Sequence, residues 1–243
     1  MNSPVTLITA TGERPFAFAL CKKFVSRFNW GPIQWIVVDD GASLPVEDGP
    51  SILPSSTSLT LVRPKSFWKP GENTLARNIL LAIPLIQNDF VFFIEDDDWY
   101  GPNYIQFQME SMLCAEDVMM VGEAPARYYH LPTRQYWQLK NHRHASLCQT
   151  GIHKSQIPLL RTICEEAHRD FIDVRLWERC THTQVIQSTK ECVGIKGLPG
   201  RGGIGVGHRP QKTSAWAQDS PEQEILRQWI GADISLYGGI GTL

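Results

Sequence analysis

With 243 residues and 23 Lys plus Arg against 25 Asp plus Glu, the chain can bury a substantial core, and its overall charge neither selects nor excludes a polyanionic partner. The six cysteines, at positions 21, 114, 148, 164, 180 and 192, form no Cys-x-x-Cys pair. That argues against a zinc ribbon or a disulfide framework and points to reduced thiols in a cytoplasmic setting. No basic-then-apolar leader is visible and no apolar run approaches ~18 residues, so neither a signal peptide nor a membrane span is expected.

In chain order, Val5 to Thr11 is a β-branched run ending at Gly12 and predicts a first strand. Phe16, Leu20, Phe24 and Phe28 recur at helical spacing, and Pro15 suits a first helical turn. Gln34 to Val38 reads as a second buried strand, closed by Asp39-Asp40-Gly41. Carboxylates at the C-terminal end of a strand lie where open α/β sheets bind ligands. A Pro/Ser/Gly-rich loop over 42–58 leads to a short strand, Leu59 to Val62. Asn73 or Thr74 can cap a helix bearing Leu75, Ile79, Leu80 and Ile83, with Arg77 and Asn78 near its start.

Phe90 to Ile94 predicts a fourth strand buried on both faces, and four consecutive carboxylates, Glu95 to Asp98, follow it. Clustering four anions beside a low-dielectric core costs Coulomb energy, which a divalent cation would relieve. Oxygen-only donors suit Mg2+ or Mn2+ rather than zinc. Asn103 to Leu113 predicts a helix and Val118 to Gly122 a strand. The alternation of strands and helices predicts a mainly parallel α/β sheet.

From Ala124 to Cys164 there is no acidic residue, while Arg127, Arg134, Lys140, Arg143, Lys154 and Arg161 interleave with Tyr128, Tyr129, Tyr136 and Trp137. Pro132-Thr133 and Lys140-Asn141 suggest hairpin turns. Basic and aromatic side chains together can grip phosphates and stack on sugar or base rings. Ile163 to Arg179 predicts one helix, which would bring Asp170 and Asp173 to one side. Gly194 to Arg209 holds seven glycines, with Arg201 and His208 among them, and offers backbone N–H groups to a diphosphate. It lacks the context of a dinucleotide fingerprint and the Gly-Lys-Ser/Thr ending of a P-loop. Ser220 to Trp229 predicts a last helix, followed by a loosely ordered Gly-rich end.

Taken together, these stretches resemble the nucleotide-sugar glycosyltransferases of the GT-A fold, family 2 most closely. The resemblance runs through Val5–Thr11 with Glu13-Arg14, Ile36–Gly41, Asn73–Asn78, Phe93–Pro102, Asp173-x-x-Leu-x-x-Arg179 and His208. It implies one GT-A domain over 1–243. Residues 1–122 would form the donor half, 123–210 an acceptor half of smaller β and loop elements, and 211–243 a C-terminal helix and tail. It further implies donor contacts from Thr9, Thr11, Glu13, Arg14, Asp39 or Asp40, Arg77, Asn78, Asp96 and Arg201. Mn2+ or Mg2+ would sit on Asp97 and His208, with Glu95 standing where the family's motif has its first aspartate. Asp173, or Asp170, would be the catalytic base, and Tyr128, Trp137, Lys140 and Arg143 would face the acceptor. The implied reaction is metal-dependent transfer from a nucleotide-diphosphate sugar, a UDP-sugar first, with inversion. The acceptor would be a glycan or a hydroxymethylated base in DNA. A nucleotidyltransferase is the nearest alternative, but Thr11 to Pro15 holds only one glycine where that class has a Gly-rich loop. A non-catalytic sugar- or nucleic-acid-binding module is the other.

Overall fold

Strand alternation sets the architecture. The computed structural model describes residues 2–43, 52–140, 142–166, 171–187, 189–203, 206–208 and 215–238. The elements run β1 (Val5–Thr11), α1 (Pro15–Val25), β2 (Ile33–Asp39), β3 (Thr57–Val62), α2 (Leu75–Ala82), β4 (Phe90–Phe93), β5 (Trp99–Tyr100), α3 (Tyr104–Met112) and β6 (Val118–Glu123). Then follow β7 (Ala126–His130), β8 (Gln135–Leu139), β9 (Thr150–His153), α4 (Ile157–Glu166), α5 (Ile172–Arg179), β10 (Thr183–Gln187), β11 (Cys192–Lys196), β12 (Ala217–Gln218) and α6 (Glu224–Ile230).

A seven-stranded sheet is ordered β10-β6-β9-β4-β1-β2-β3, and every neighbouring pair is parallel except those made by β9. Leu7, Trp35, Val37 and Phe92 point to one face, with Phe24 of α1 and Ile105 and Met109 of α3. Ile8, Ile36, Val38, Val91 and Phe93 point to the other, against Ile79, Leu160, Ile163 and Leu176. Each large side chain buried this way contributes about 1.5–3 kcal/mol. Exposed ion pairs such as Arg179–Glu166 contribute about 0–1 kcal/mol, so the two-faced apolar core carries the fold.

The mainly parallel sheet and its smaller β annex match expectation. The annex is a five-stranded sheet, β12-β8-β7-β11-β5, in which β7 and β8 form a hairpin turning through Pro132-Thr133. Gly197 follows β11 at φ +82, where a Cβ would come within 2.4 Å of Pro132 Cδ, so only glycine lets the chain leave the strand there.

Three predictions are corrected. Ile163 to Arg179 is not one helix: α4 ends at Glu166, and Phe171 is extended (φ −71, ψ 121) ahead of α5. Spacing within a helix therefore does not relate Asp170 to Asp173, and Asp170 itself lies outside the described residues. Gly194 to Lys196 is strand rather than loop, because β11 pairs with β7 through buried Ile195. The stretch after the last helix is docked as far as it is described: Gly231–Tyr237 forms a 3-10 turn whose Asp233 clasps Arg27 (2.8 and 2.5 Å) and Trp99 Nε1 (2.7 Å).

Candidate active site

The strands β4, β1 and β2 are neighbours, so their C-terminal ends bring Glu95–Asp98, Thr11 and Asp39-Asp40 to one edge. The acids at this edge divide by how fully the protein satisfies them.

Asp40 is fully buried, and its carboxylate accepts hydrogen bonds from Thr74, Arg77 (3.1 Å), Asn78 (2.8 Å) and Arg201 (2.8 Å). Asp39 accepts from Arg63 (2.8 Å) and the Gly41 amide (2.9 Å). Asp96 accepts from Thr11 Oγ1 (2.6 Å) and Arg14 (2.6 Å). Burial raises the Asp96 carboxyl, and Arg14 opposes the rise. These acids tie loops together. Arg77 and Asn78 face Asp40, and Arg201 also lies 4.3 Å over the Trp68 ring. Glu13 sits at φ 57, a strained conformation for a side chain of its size, held by the Ala42 (2.6 Å) and Ser43 (3.0 Å) amides. Those same bonds, the Ser43 amide first, hold its carboxyl below the usual range.

Thr9 is not at this edge. Its position in β1 has the parity of Leu7, so it faces the core and accepts from Trp35 Nε1 at 2.9 Å.

Asp97, Asp98 and Glu95 form a second group, with one oxygen of each within 4.8 Å of the others. Asp97 meets Arg14 (3.5 Å), His208 Nε2 (3.5 Å) and the Lys196 ammonium (3.3 Å). Despite its burial, Lys196 and Arg14 hold the Asp97 carboxyl well below the usual range. Asp98 accepts from Lys196 at 2.7 Å, and burial pushes its carboxyl up to about 6. Glu95 lies 3.8 Å from Lys196 with 35% of its side chain exposed, and it is pushed up to about 8 by desolvation and then by Asp98. His208 is driven down to about 3 by burial and Lys196, which leaves a neutral imidazole able to ligate. A cavity bounded by Arg14, Asp97, Leu198, Pro199, Arg201 and His208 opens beside this group. The Glu95, Asp97 and Asp98 group is hard and oxygen-rich, a donor set that could hold a divalent cation, and His208 meets it through Asp97.

Asp173 lies half-buried in the first turn of α5. Burial raises its carboxyl, amides of Val174 and Leu147 oppose the rise, and its charge in turn raises Glu95. On the annex side, the Lys196 ammonium lies 6.0 Å from the Tyr128 ring, and Tyr128, Trp137 and Trp216 follow one another at 6.3 and 6.0 Å. Lys140 and Arg143 are exposed, one just after β8 and one beyond it, and no described contact joins them to the acids. The basic window is not one patch: Arg127 is buried against Glu123, and Lys154 pairs with Asp89.

Lys196 escaped the sequence reading, as did Arg63. Each closes or follows a strand whose end feeds the site, the position that singled out Asp39 and Glu95, but a cation there drew no notice.

No family model and no curated protein matches this chain. Solved structures do. S. aureus TarS 1–349 in complex with UDP aligns at a TM-score of 0.58 and 12% identity, covering 80% of this chain and 60% of that one. The fold is the GT-A glycosyltransferase fold. The same TarS fragment with UDP-GlcNAc gives 0.55 at 10% identity, covering 81% and 59%. The mannosyltransferase PcManGT from Pyrobaculum calidifontis, in complex with GDP-Man and Mn2+, gives 0.54 at 13%, covering 79% and 57%. The chain thus spans less than two thirds of these GT-A neighbours.

Proposed function

We propose that the chain is a glycosyltransferase of the family 2 type, moving a sugar from a nucleotide-diphosphate sugar to an acceptor hydroxyl with inversion. One observation carries the reading. On a GT-A fold, Asp97 of the acid group borders a cavity lined by a basic, glycine-rich loop, and a separate half-buried carboxylate, Asp173, acts on Glu95 of the same group through its charge. That is the layout a single displacement needs. Asp97, His208 and Glu95 would hold Mn2+ or Mg2+, which when bound neutralises the diphosphate as a leaving group. Arg14 and Arg201, bridged by the 2.8 Å bond from Arg14 Nε to the Arg201 carbonyl, frame the cavity on the phosphate side. Asp39, the less enclosed of the β2 acids, paired with Arg63, would hold the nucleoside.

Asp173 takes the proton of the acceptor hydroxyl. As that proton leaves, the acceptor oxygen bonds the anomeric carbon, the bond from that carbon to phosphate oxygen breaks, and the nucleoside diphosphate departs. Desolvation makes Asp173 a stronger base than a solvated aspartate. Half-buried Tyr128 and Trp137 offer stacking faces to a ring-bearing acceptor, with buried Trp216 packed against Trp137. A glycan is the first reading, because the basic window is dispersed. A hydroxymethylated base in DNA is the second, favoured by exposed Lys140 and Arg143. UDP-sugars are the first donors to try, since two neighbours were solved with UDP or UDP-GlcNAc.

The test is calorimetry and nucleotide release over a panel of nucleotide sugars with Mn2+. Saturable binding and slow hydrolysis that vanish in Asp97→Asn are expected. Binding of no nucleotide, or hydrolysis indifferent to Asp97, would sink the proposal. Activity on DNA should fall steeply with salt, while activity on a neutral glycan should not.

A further inference from the structure

A lysine at the centre of an acid cluster demands its own explanation. Lys196 ends β11 with only 6% of its side chain exposed, and its ammonium touches Asp98 (2.7 Å), Asp97 (3.3 Å) and Glu95 (3.8 Å). Arg14 supplies the only other full cation on these carboxylates among the described residues, through Asp96 and Asp97. Four neighbouring acid groups thus share two such cations, an imbalance that a divalent ion would relieve. Yet the ammonium already lies on the same oxygens such an ion would use. Two cations sharing Asp97 repel each other strongly in a buried setting.

The conflict resolves if one of them moves. The Lys196 side chain has four rotatable carbons and a compact charge, unlike the forked, doubly held guanidinium of Arg14. It lies at the mouth of the Gly197–Gly203 segment, beside the cavity that reaches Asp97. A diphosphate arriving there would bring the negative charge needed to keep a metal and an ammonium close together.

We propose that Lys196 is the resident counter-ion of the acid cluster: it opposes metal entry while the donor site is empty and turns to the diphosphate when metal and nucleotide arrive. Metal and nucleotide binding are then strongly coupled, each favouring the other, and free protein holds Mn2+ poorly. The proposal rests on the donor reading above for the identity of the anion, but not for the competition with metal. Lys196 is in this sense a positioning residue.

The experiment is Mn2+ binding to the purified chain, read by electron paramagnetic resonance of free Mn2+, with and without UDP. For the native protein, UDP should tighten Mn2+ by about tenfold or more, within the usual range of site-to-site coupling. Lys196→Met should tighten Mn2+ on the UDP-free protein by a similar factor and remove most of the coupling. Because Lys196→Met strands buried Asp98, the paired variant Asp98→Asn/Lys196→Met, which deletes both charges of the 2.7 Å contact, is measured beside it. Tightened Mn2+ in either folded variant supports the proposal. Unchanged or weakened Mn2+ in both would overturn it. If UDP binds to none of the proteins, the donor reading fails, while the Mn2+ affinities of the UDP-free proteins still decide whether Lys196 competes with metal.

Discussion

Asp40 and Asp97 both follow apolar strands in neighbouring parts of one sheet, yet the protein uses them in opposite ways. Asp40 has no exposure and four side-chain donors, so it is a knot joining α2, the β2 end and the Arg201 loop. Among the described residues, the partners of Asp97 are cationic or ligating side chains at 3.3–3.5 Å, and it borders a cavity. The lesson is that an acid's place at a strand end makes it available, while its own hydrogen bonds decide whether it is free to act.

That contrast can be broken by substitution. Asp97→Asn should have the largest effect, lowering transfer by roughly a thousandfold, the several kcal/mol that metal-stabilised charge supplies, with the fold intact by circular dichroism. Asp173→Asn should lower kcat by about 10²–10⁴ while leaving UDP affinity unchanged in calorimetry. The pH dependence follows from the same residue. Its raised carboxyl is an active base only when deprotonated, so kcat/KM should fall as pH drops through a value above the ordinary aspartate range. In Asp173→Asn that acid limb should vanish. Asp40→Ala belongs to the other class: it leaves two arginines facing an emptied pocket and should cost about 3–5 kcal/mol of stability in denaturant titration. Trp137→Ala should raise the acceptor KM by about tenfold, one stacking contact, without moving donor affinity. Thr9→Val should do least to donor binding, since Thr9 points into the core.

Much of residues 1–122 was legible because the strands there are long apolar runs with abrupt charged ends. β1 was anticipated to the residue, and β2 and β4 to within one at each end. The one antiparallel strand of the main sheet was harder. β9 is only Thr150–His153 and has polar ends, so its pairing between β4 and β6 leaves almost no periodic trace. The merging of α4 and α5 had a similar origin, because Ile163, Ile172 and Leu176 all reach one apolar cluster while belonging to different helices. Thr9 was misplaced because a β-branched residue near a strand end looks the same whether it points to ligand or to core. Lys196 was missed because a buried lysine runs against every compositional expectation until its acidic partners, nearly a hundred residues away, are placed beside it.

The Asp233 clasp has an engineering consequence. Trp99 directly follows the last acid of the cluster, so the bonds that Asp233 makes to Trp99 and Arg27 brace the active edge from a segment distant in sequence. Trimming the chain before Gly231, or fusing a partner domain tightly there, would loosen that brace, and lost metal affinity after such surgery would be a mechanical injury rather than the removal of a ligand.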